Sequence, residues 1–465
     1  MNNKVLLLDS STNMATVGLL HLAAYLRRNG IEAYCQAANH EKTINGLKNN
    51  TLSLLSKIKP GIVGVSIKWF LHIARGLEIC KIIKEYDPNI KIVIGGDTAS
   101  YYWKNFIDLD NIEYIIRGDG ELPLLKLCRG EDDIPNCVYK KNGQLIETPF
   151  TYVKNGNNSS DIYLSNINEI CTEKYGSNQP ISSIFIYTGK GCPWECFYCG
   201  GCHSASKQIF NRSTPFLRRV EEARKDIIEV KNIVSDFLFD FELPKKDMVN
   251  YYRQLWEEID LSGHCCNFYF WRLPSFDLID LIANTFESAM ISIDVCSLSE
   301  RHRLYLNSLK IVKPQLMDAE ILACFDRCEM YKNIKVELTT IFGMPFFIEK
   351  DFIKEEEMLF NLINKYSCFI GVVWGRLHAQ PGAPILNNYA KYNMRSITPT
   401  FEEFYKNSIV NFKIEPYPET NNYLYPSIYP KDTAMVSKTS KHYAKLTNIM
   451  NDHLPNVVDR WYHGG

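Results

Sequence analysis

The 465 residues are 46% hydrophobic and 12% aromatic with a formal net charge of -1, the make-up of a globular chain with room for two to four domains of about 150 residues. No run of roughly 18 apolar residues is present to cross a bilayer, and the scattered lysines of a nearly neutral chain offer no footprint for nucleic acid. Asp9 interrupts the apolar run of MNNKVLLLDSS and no small-residue cleavage site follows, so a strand and a cytoplasmic location are expected rather than a secretory leader.

From the N-terminus, short apolar runs alternate with amphipathic stretches. VLLLD (5 to 9), IEAYCQA, IVGVS, KIVIGG and YIIRG read as strands; TVGLLHLAAYLRRNG, residues 44 to 57 and residues 73 to 86 read as helices. This alternation predicts an α/β domain over 1 to 130, doubly wound and Rossmann- or flavodoxin-like, which takes its ligand outside the carboxyl ends of the strands. Those ends are DSSTN, SIKWF, GGDTAS and RGDGE, contributing Ser10, Ser11, Ser66, Lys68, Gly95, Gly96, Asp97, Gly118 and Glu121. They are small, polar and glycine-rich, as close approach of backbone to a ligand requires, although tight turns alone would look the same. None forms a good GxGxxG.

Residues 131 to 180 read as a connector with a hairpin turning at Asn142 and Gly143. From Ile181 to about residue 395, SIFIYTG, VSDFLFDF, NFYFWR, MISIDV, KVELTTIFG and FIGVVWGRLHAQPG alternate with helices expected from about Pro215 to Val230, Pro244 to Ile259, Phe276 to Glu287, 315 to 330 and Lys350 to Tyr366. Six βα repeats predict a partial (β/α)6 barrel of the TIM type, with its chemistry at the strands' C-terminal face. Residues 396 to 465 break the rhythm as a small C-terminal extension, in which the tyrosine- and proline-rich stretch 417 to 430 reads either as a long loop over the barrel mouth or as a surface tail.

Fifteen cysteines, an odd number in an intracellular-looking chain, argue against a disulfide framework. Scattered ones such as Cys80, Cys128 and Cys324 read as small buried hydrophobes. Cys192, Cys196 and Cys199 are different: they crowd one loop, YTGKGCPWECFYCGG, after the first strand of the second sheet. Zinc wants four ligands in two separated pairs. Three soft thiolates on one loop suit an iron–sulfur cluster that leaves one iron without a protein ligand, unless Cys202 supplies a fourth thiolate and closes the site.

CxxxCxxC on this loop, with Tyr198 before the third cysteine, resembles the signature of the radical S-adenosylmethionine enzymes. GLLHLAAYLRRNGIEA, KPGIVGVSI, IVIGGDTAS, YIIRGDGE and FNRST resemble the cobalamin-dependent branch, over roughly residues 4 to 390. The resemblance implies a [4Fe-4S] cluster on Cys192, Cys196 and Cys199 whose remaining iron is chelated by S-adenosylmethionine, cleaved to a 5′-deoxyadenosyl radical. It also implies cobalamin in the N-terminal sheet crevice. An Asp-x-His-x-x-Gly loop is not found, so base-off cobalamin without a histidine ligand is expected; His40 and His72 are the nearest histidines, and Lys68 is placed to approach the lower face of cobalt.

The resemblance further assigns Asp240 and Glu242, after the second barrel strand, to the cofactor ammonium or the substrate, and Asp294 to the ribose diol, where a carboxylate can accept two hydrogen bonds. Gly343 and Gln380 fall at strand ends that meet adenine, Gly200 lets backbone pass near a ligand, and Arg376 and His378 point from one strand end toward substrate or a carboxylate. Trp69, Trp271 and Trp374 are equally well explained by packing.

The expected activity is methylation of a carbon centre of a small metabolite or natural-product intermediate, with flavodoxin or ferredoxin as reductant. A radical rearrangement or cyclisation without methyl transfer is the alternative. A non-enzymatic iron–sulfur or zinc protein using Cys202 is a third reading.

Overall fold

The computed structural model describes residues 4–11, 17–36, 41, 43–171, 181–240, 248–396, 400–413, 428–430 and 433–454. Its first sheet contains β1 Val5–Asp9, β2 Ala33–Gln36, β3 Ile62–Ser66, β4 Lys91–Gly95, β5 Tyr114–Ile116, β6 Cys137–Lys141 and β7 Gln144–Glu147, in the order β2-β1-β3-β4-β5-β6-β7. The first five strands run parallel and the last two antiparallel. The hairpin of the expected connector thus extends this sheet at its edge. Alternation along VLLLD explains the two faces: Val5 and Leu7 share a core with the helix Val17–Arg28, whereas Leu6 and Leu8 pack with Leu54 and Ile83 from the helices Ile44–Ile58 and Ile73–Tyr86. Strand order reverses between β1 and β3, the switch point at which such sheets open a crevice.

The second sheet is the partial barrel. Its strands are β8 Ser183–Phe185, β11 Asp236–Phe239, β12 Cys265–Phe270, β13 Ser288–Cys296, β14 Ile334–Phe342 and β15 Phe369–Arg376, all parallel and consecutive. The short strands β9 Gly189–Lys190 and β10 Phe216–Leu217 pair antiparallel beside it. The helix expected from Pro215 therefore begins later, at Val220, because Phe216 and Leu217 are extended. Inside, Phe268 stacks on Phe270 at 4.4 Å and on Phe239 at 5.3 Å, one aromatic from each turn of the pleat filling the core.

Three further helices carry weak sequence signals. Glu121–Arg129 is capped at its end by Gly130 in the left-handed conformation; Glu300–Ser308 starts at Ser299, whose hydroxyl accepts from the His302 N–H. His203–Phe210 begins at Cys202, a residue with no oxygen to accept from the first turn.

The C-terminal extension binds both halves. Helix Phe401–Lys413 lies on the first domain, where Ser408 Oγ accepts from the Ala74 N–H at 3.0 Å and Phe404 meets Phe70 at 4.9 Å. Helix Thr433–His453 covers β15, the exposed edge of the open barrel: Tyr443 packs on Trp374 at 4.9 Å and Met450 Sδ sits 3.2 Å from the Val372 N–H. Most of the stretch 417 to 430 lies outside the described residues. Among the described residues no helix is long and apolar enough to cross a membrane.

Candidate active site

The cysteine loop follows β9 and ends at helix His203–Phe210. Two segments pin it. On one side the Phe197 N–H donates to Ile311 O at 2.9 Å; on the other the Ile385 N–H donates to Phe197 O at 2.9 Å and the Gln380 N–H to Tyr198 O at 3.2 Å. Gln380 Oε1 accepts from the Gly200 N–H at 2.7 Å. A β-carbon at Gly200 would lie 2.6 Å from Pro381 O, so only glycine lets the loop approach this turn.

Backbone amides also point at sulfur: the Lys313 N–H lies 3.2 Å from Cys196 Sγ and the Gly201 N–H 3.3 Å from Cys199 Sγ. Burial pushes all three thiols up, Cys192 to about 11, Cys199 to about 12 and Cys196 further. Neighbouring sulfurs add to this: Cys202 for Cys192, Cys199 and Cys192 for Cys196, and Cys202 and Cys192 for Cys199. Thiols this reluctant to ionise alone become thiolates when a metal replaces the proton, and amide donors to sulfur are a common means of tuning iron–sulfur clusters. The residues present fit such a cluster. No group of three or more His, Cys, Asp or Glu among the described residues converges as a single-ion site; a cube, by contrast, gives each thiolate its own iron. Cys202 is fully buried, its Sγ 3.4 Å from Ser204 Oγ, and stands at the start of the following helix without a side-chain cap hydrogen bond.

The carboxyl ends of the first sheet face this loop. At the end of β1, Ser11 Oγ donates to Asp9 Oδ2 at 2.5 Å, and the buried Ser10 hydroxyl donates to Ser66 O at 2.6 Å, closing β1 onto β3. Gly95 O accepts from the Ile67 N–H at 2.8 Å. Gly96 has φ +98, and a β-carbon there would lie 2.8 Å from Ile67 backbone, so the turn that delivers Asp97 demands glycine. Thr98 Oγ1 donates to Lys68 O at 2.8 Å and holds Lys68 beside that turn.

Lys68 keeps exposed surface although protein surrounds it, as befits a side chain reaching into a cleft. Tyr187, then Asp97, Asp240 and Asp9, hold its ammonium above the ordinary lysine range. Asp240, at the end of β11, has its carboxyl raised by burial against the pull of Lys68; Asp97 is raised by burial against Lys68, Lys190 and Arg212. The two sheets therefore present their C-terminal edges to one cleft.

Two expected ligands have other partners. Glu121 is buried and ion-paired with the fully buried Lys154, which already engages its carboxylate. Asp294 is not a free diol acceptor: Oδ2 lies 2.9 Å from Lys313 Nζ and Oδ1 accepts from the Cys296 N–H at 3.2 Å. Gly118 donates its N–H to Ser100 Oγ at 2.9 Å. Tyr198 places its hydroxyl 3.9 Å from Cys296 Sγ, and Gly343 turns the chain after β14 toward Leu377. Arg376 ends β15, but its side chain is outside the described residues, as are Glu242 and His40. His378 packs edge-on against Phe70 of the first domain at 6.3 Å. His72 is held neutral, at about 4, by burial and Arg75.

Sequence reasoning missed the charges that join the halves. Asp119 accepts from Arg212 at 2.6 Å and from the Lys154 N–H at 2.8 Å, and lies 3.4 Å from Lys190. Asp119 and Arg212 stand inside the stretches RGDGE and FNRST, yet nothing local marks them as partners.

The structure thus joins a doubly wound sheet to a partial barrel that carries a three-thiol loop after its first strand. Residues 3–127 match the B12 binding domain family. The chain is 26% identical over 133 residues to the anaerobic magnesium-protoporphyrin IX monomethyl ester cyclase of Synechocystis sp., a match covering 26% of each protein. It is 23% identical over 222 residues to the hopanoid C-3 methylase of Methylococcus capsulatus, covering 44% of this chain and 40% of that protein. These matches span only a quarter to two fifths of the curated relatives. Over nearly the whole chain, the fold is similar to that of the radical S-adenosylmethionine methyltransferase TsrM from Kitasatospora setae. Its structure with tryptophan substrate and a S-adenosylmethionine analog superposes with a TM-score of 0.68 at 15% identity, covering 95% of this chain and 89% of that one. Residues 3–127 of this chain are thus similar to B12 binding domains, and its fold is similar to that of a radical S-adenosylmethionine methyltransferase.

Proposed function

We propose that the protein is a methyltransferase acting on a carbon centre of a small molecule, with the shared cleft as its active site. The observation that carries this reading is the facing of two strand edges: Lys68 and Asp97 of the first sheet meet Asp240 of the barrel, beside the thiol loop. When bound, the cluster with S-adenosylmethionine supplies a 5′-deoxyadenosyl radical and cobalamin supplies the methyl group, chemistry that side-chain acids and bases cannot reach.

The chain's own residues bind, orient and exclude water. Cys192, Cys196 and Cys199 would hold the cluster, while Gln380 fixes the loop through Gly200. Ser11, Ser66, Gly95 and Gly96 line the crevice for the cobalamin tail. Lys68 would help to hold the cobalamin, its exposed ammonium sitting among Tyr187, Asp97 and Asp240. Asp240, its proton affinity raised by enclosure, takes the cofactor ammonium or a polar group of the substrate. The electron donor is proposed to be a flavodoxin or ferredoxin.

Similarity to a cyclase supports a second reading, a radical ring closure without methyl transfer. Anaerobic reconstitution with iron, sulfide and cobalamin, followed by mass analysis of products, separates the two. Methyl transfer adds one methylene equivalent and forms 5′-deoxyadenosine; ring closure adds none. Absence of both cobalamin uptake and adenosyl cleavage would overturn both readings.

A further inference from the structure

A buried lysine touches the cysteine loop through its backbone, and its charge pulls on the thiols of Cys192 and Cys196 without its serving as a ligand. Lys313 is 4% exposed in the segment between helices Glu300–Ser308 and Asp318–Cys328. Its backbone N–H lies 3.2 Å from Cys196 Sγ, and its Nζ lies 2.9 Å from Asp294 Oδ2. Beyond that ion pair Nζ has no hydrogen-bond partner among the described residues. The segment is held in place: Gln315 Nε2 donates to Lys313 O at 3.0 Å, and Ile311 O receives the Phe197 N–H at 2.9 Å.

A buried ammonium with one carboxylate beside it is costly to keep. It makes sense beside a second anion. Three thiolates on an iron–sulfur cube make the site net negative, and one-electron reduction adds to that charge. In a low-dielectric interior a fixed cation nearby favours the reduced state strongly, with little screening by salt. Net charge and hydrogen bonds at the sulfurs are among the levers that set cluster potential.

We propose that Lys313 is a positioning residue for electron uptake: its ammonium raises the reduction potential of the cluster on Cys192, Cys196 and Cys199, and Asp294 holds and moderates it. This rests on the cluster reading above. The test is a mediated redox titration of the reconstituted full chain, followed by electron paramagnetic resonance, without S-adenosylmethionine or substrate. Lys313→Met is expected to shift the reduction equilibrium at least tenfold toward the oxidised cluster, about 59 mV more negative for a one-electron couple. Lys313→Arg keeps the charge and stays near the wild type. Asp294→Asn shifts the potential the other way, and it decides the sign should Lys313→Met fail to load iron. Unchanged potentials in Lys313→Met and Asp294→Asn, or shifts of both in one direction, would overturn the proposal. A wild-type chain that takes up no cluster would instead overturn the cluster reading.

Discussion

Two sets of charges line one cleft under different physical regimes. Beyond β5, Asp119, Glu121, Lys154 and Arg212 are buried and paired across the domain boundary. At the ends of β3, β4 and β11, Lys68 is exposed and Asp97 and Asp240, only partly covered, neighbour it. Charges taken fully out of water must be satisfied by neighbours and so hold structure; charges left within reach of solvent keep the capacity to meet a ligand. The contrast separates the joint of the molecule from its working surface.

The sharpest way to break the comparison is to unpair the joint. Asp119→Asn leaves Arg212 and Lys190 facing a neutral amide, and a loss of about 3–5 kcal/mol is expected in denaturant melts. A loss below about 1 kcal/mol would mean that the joint is not structural. The same residue predicts an acid response. Burial raises its carboxyl, but Lys190, Arg212 and Lys154 outweigh burial and leave it at about 2, below the ordinary 3.8. A depressed carboxyl contributes stability that is complete above pH 3.8 and is lost as pH falls through about 2. The stability gap between wild type and Asp119→Asn should narrow across that window.

On the open side, smaller effects are expected. Gly96→Ala forces a β-carbon into Ile67 backbone at a left-handed φ and should cost about 1–3 kcal/mol in the same melts. Lys68→Met should change stability by no more than about 0.5 kcal/mol, yet alter the visible spectrum of bound cobalamin. A spectrum identical to the wild type would remove Lys68 from the working surface.

Much of this was legible in the chain. The short apolar runs such as VLLLD and IVGVS, alternating with amphipathic stretches, pointed to the parallel strands, and the spacing of Cys192, Cys196 and Cys199 pointed to the thiol loop. What stayed hidden was non-local. Asp119 finds Lys154 and Arg212 across 35 and 93 residues, and no pattern announces a pairing at that separation. The pairing of Glu121 with Lys154 was equally hidden, because a carboxylate after a strand looks the same with or without a buried lysine beside it. Helix His203–Phe210 escaped notice because a cysteine stands at its cap, and the extension's two helices are placed by packing on residues as remote as Ala74 and Trp374.

The central claim is that three thiols anchor a cluster whose free corner opens on the shared cleft. It is tested most directly by electron paramagnetic resonance of the reduced, reconstituted chain before and after adding S-adenosylmethionine, with Cys202→Ala measured alongside. The account predicts a cluster signal in both proteins that changes when S-adenosylmethionine binds. A signal unmoved by S-adenosylmethionine, together with loss of the cluster in Cys202→Ala, would show four protein ligands and contradict it.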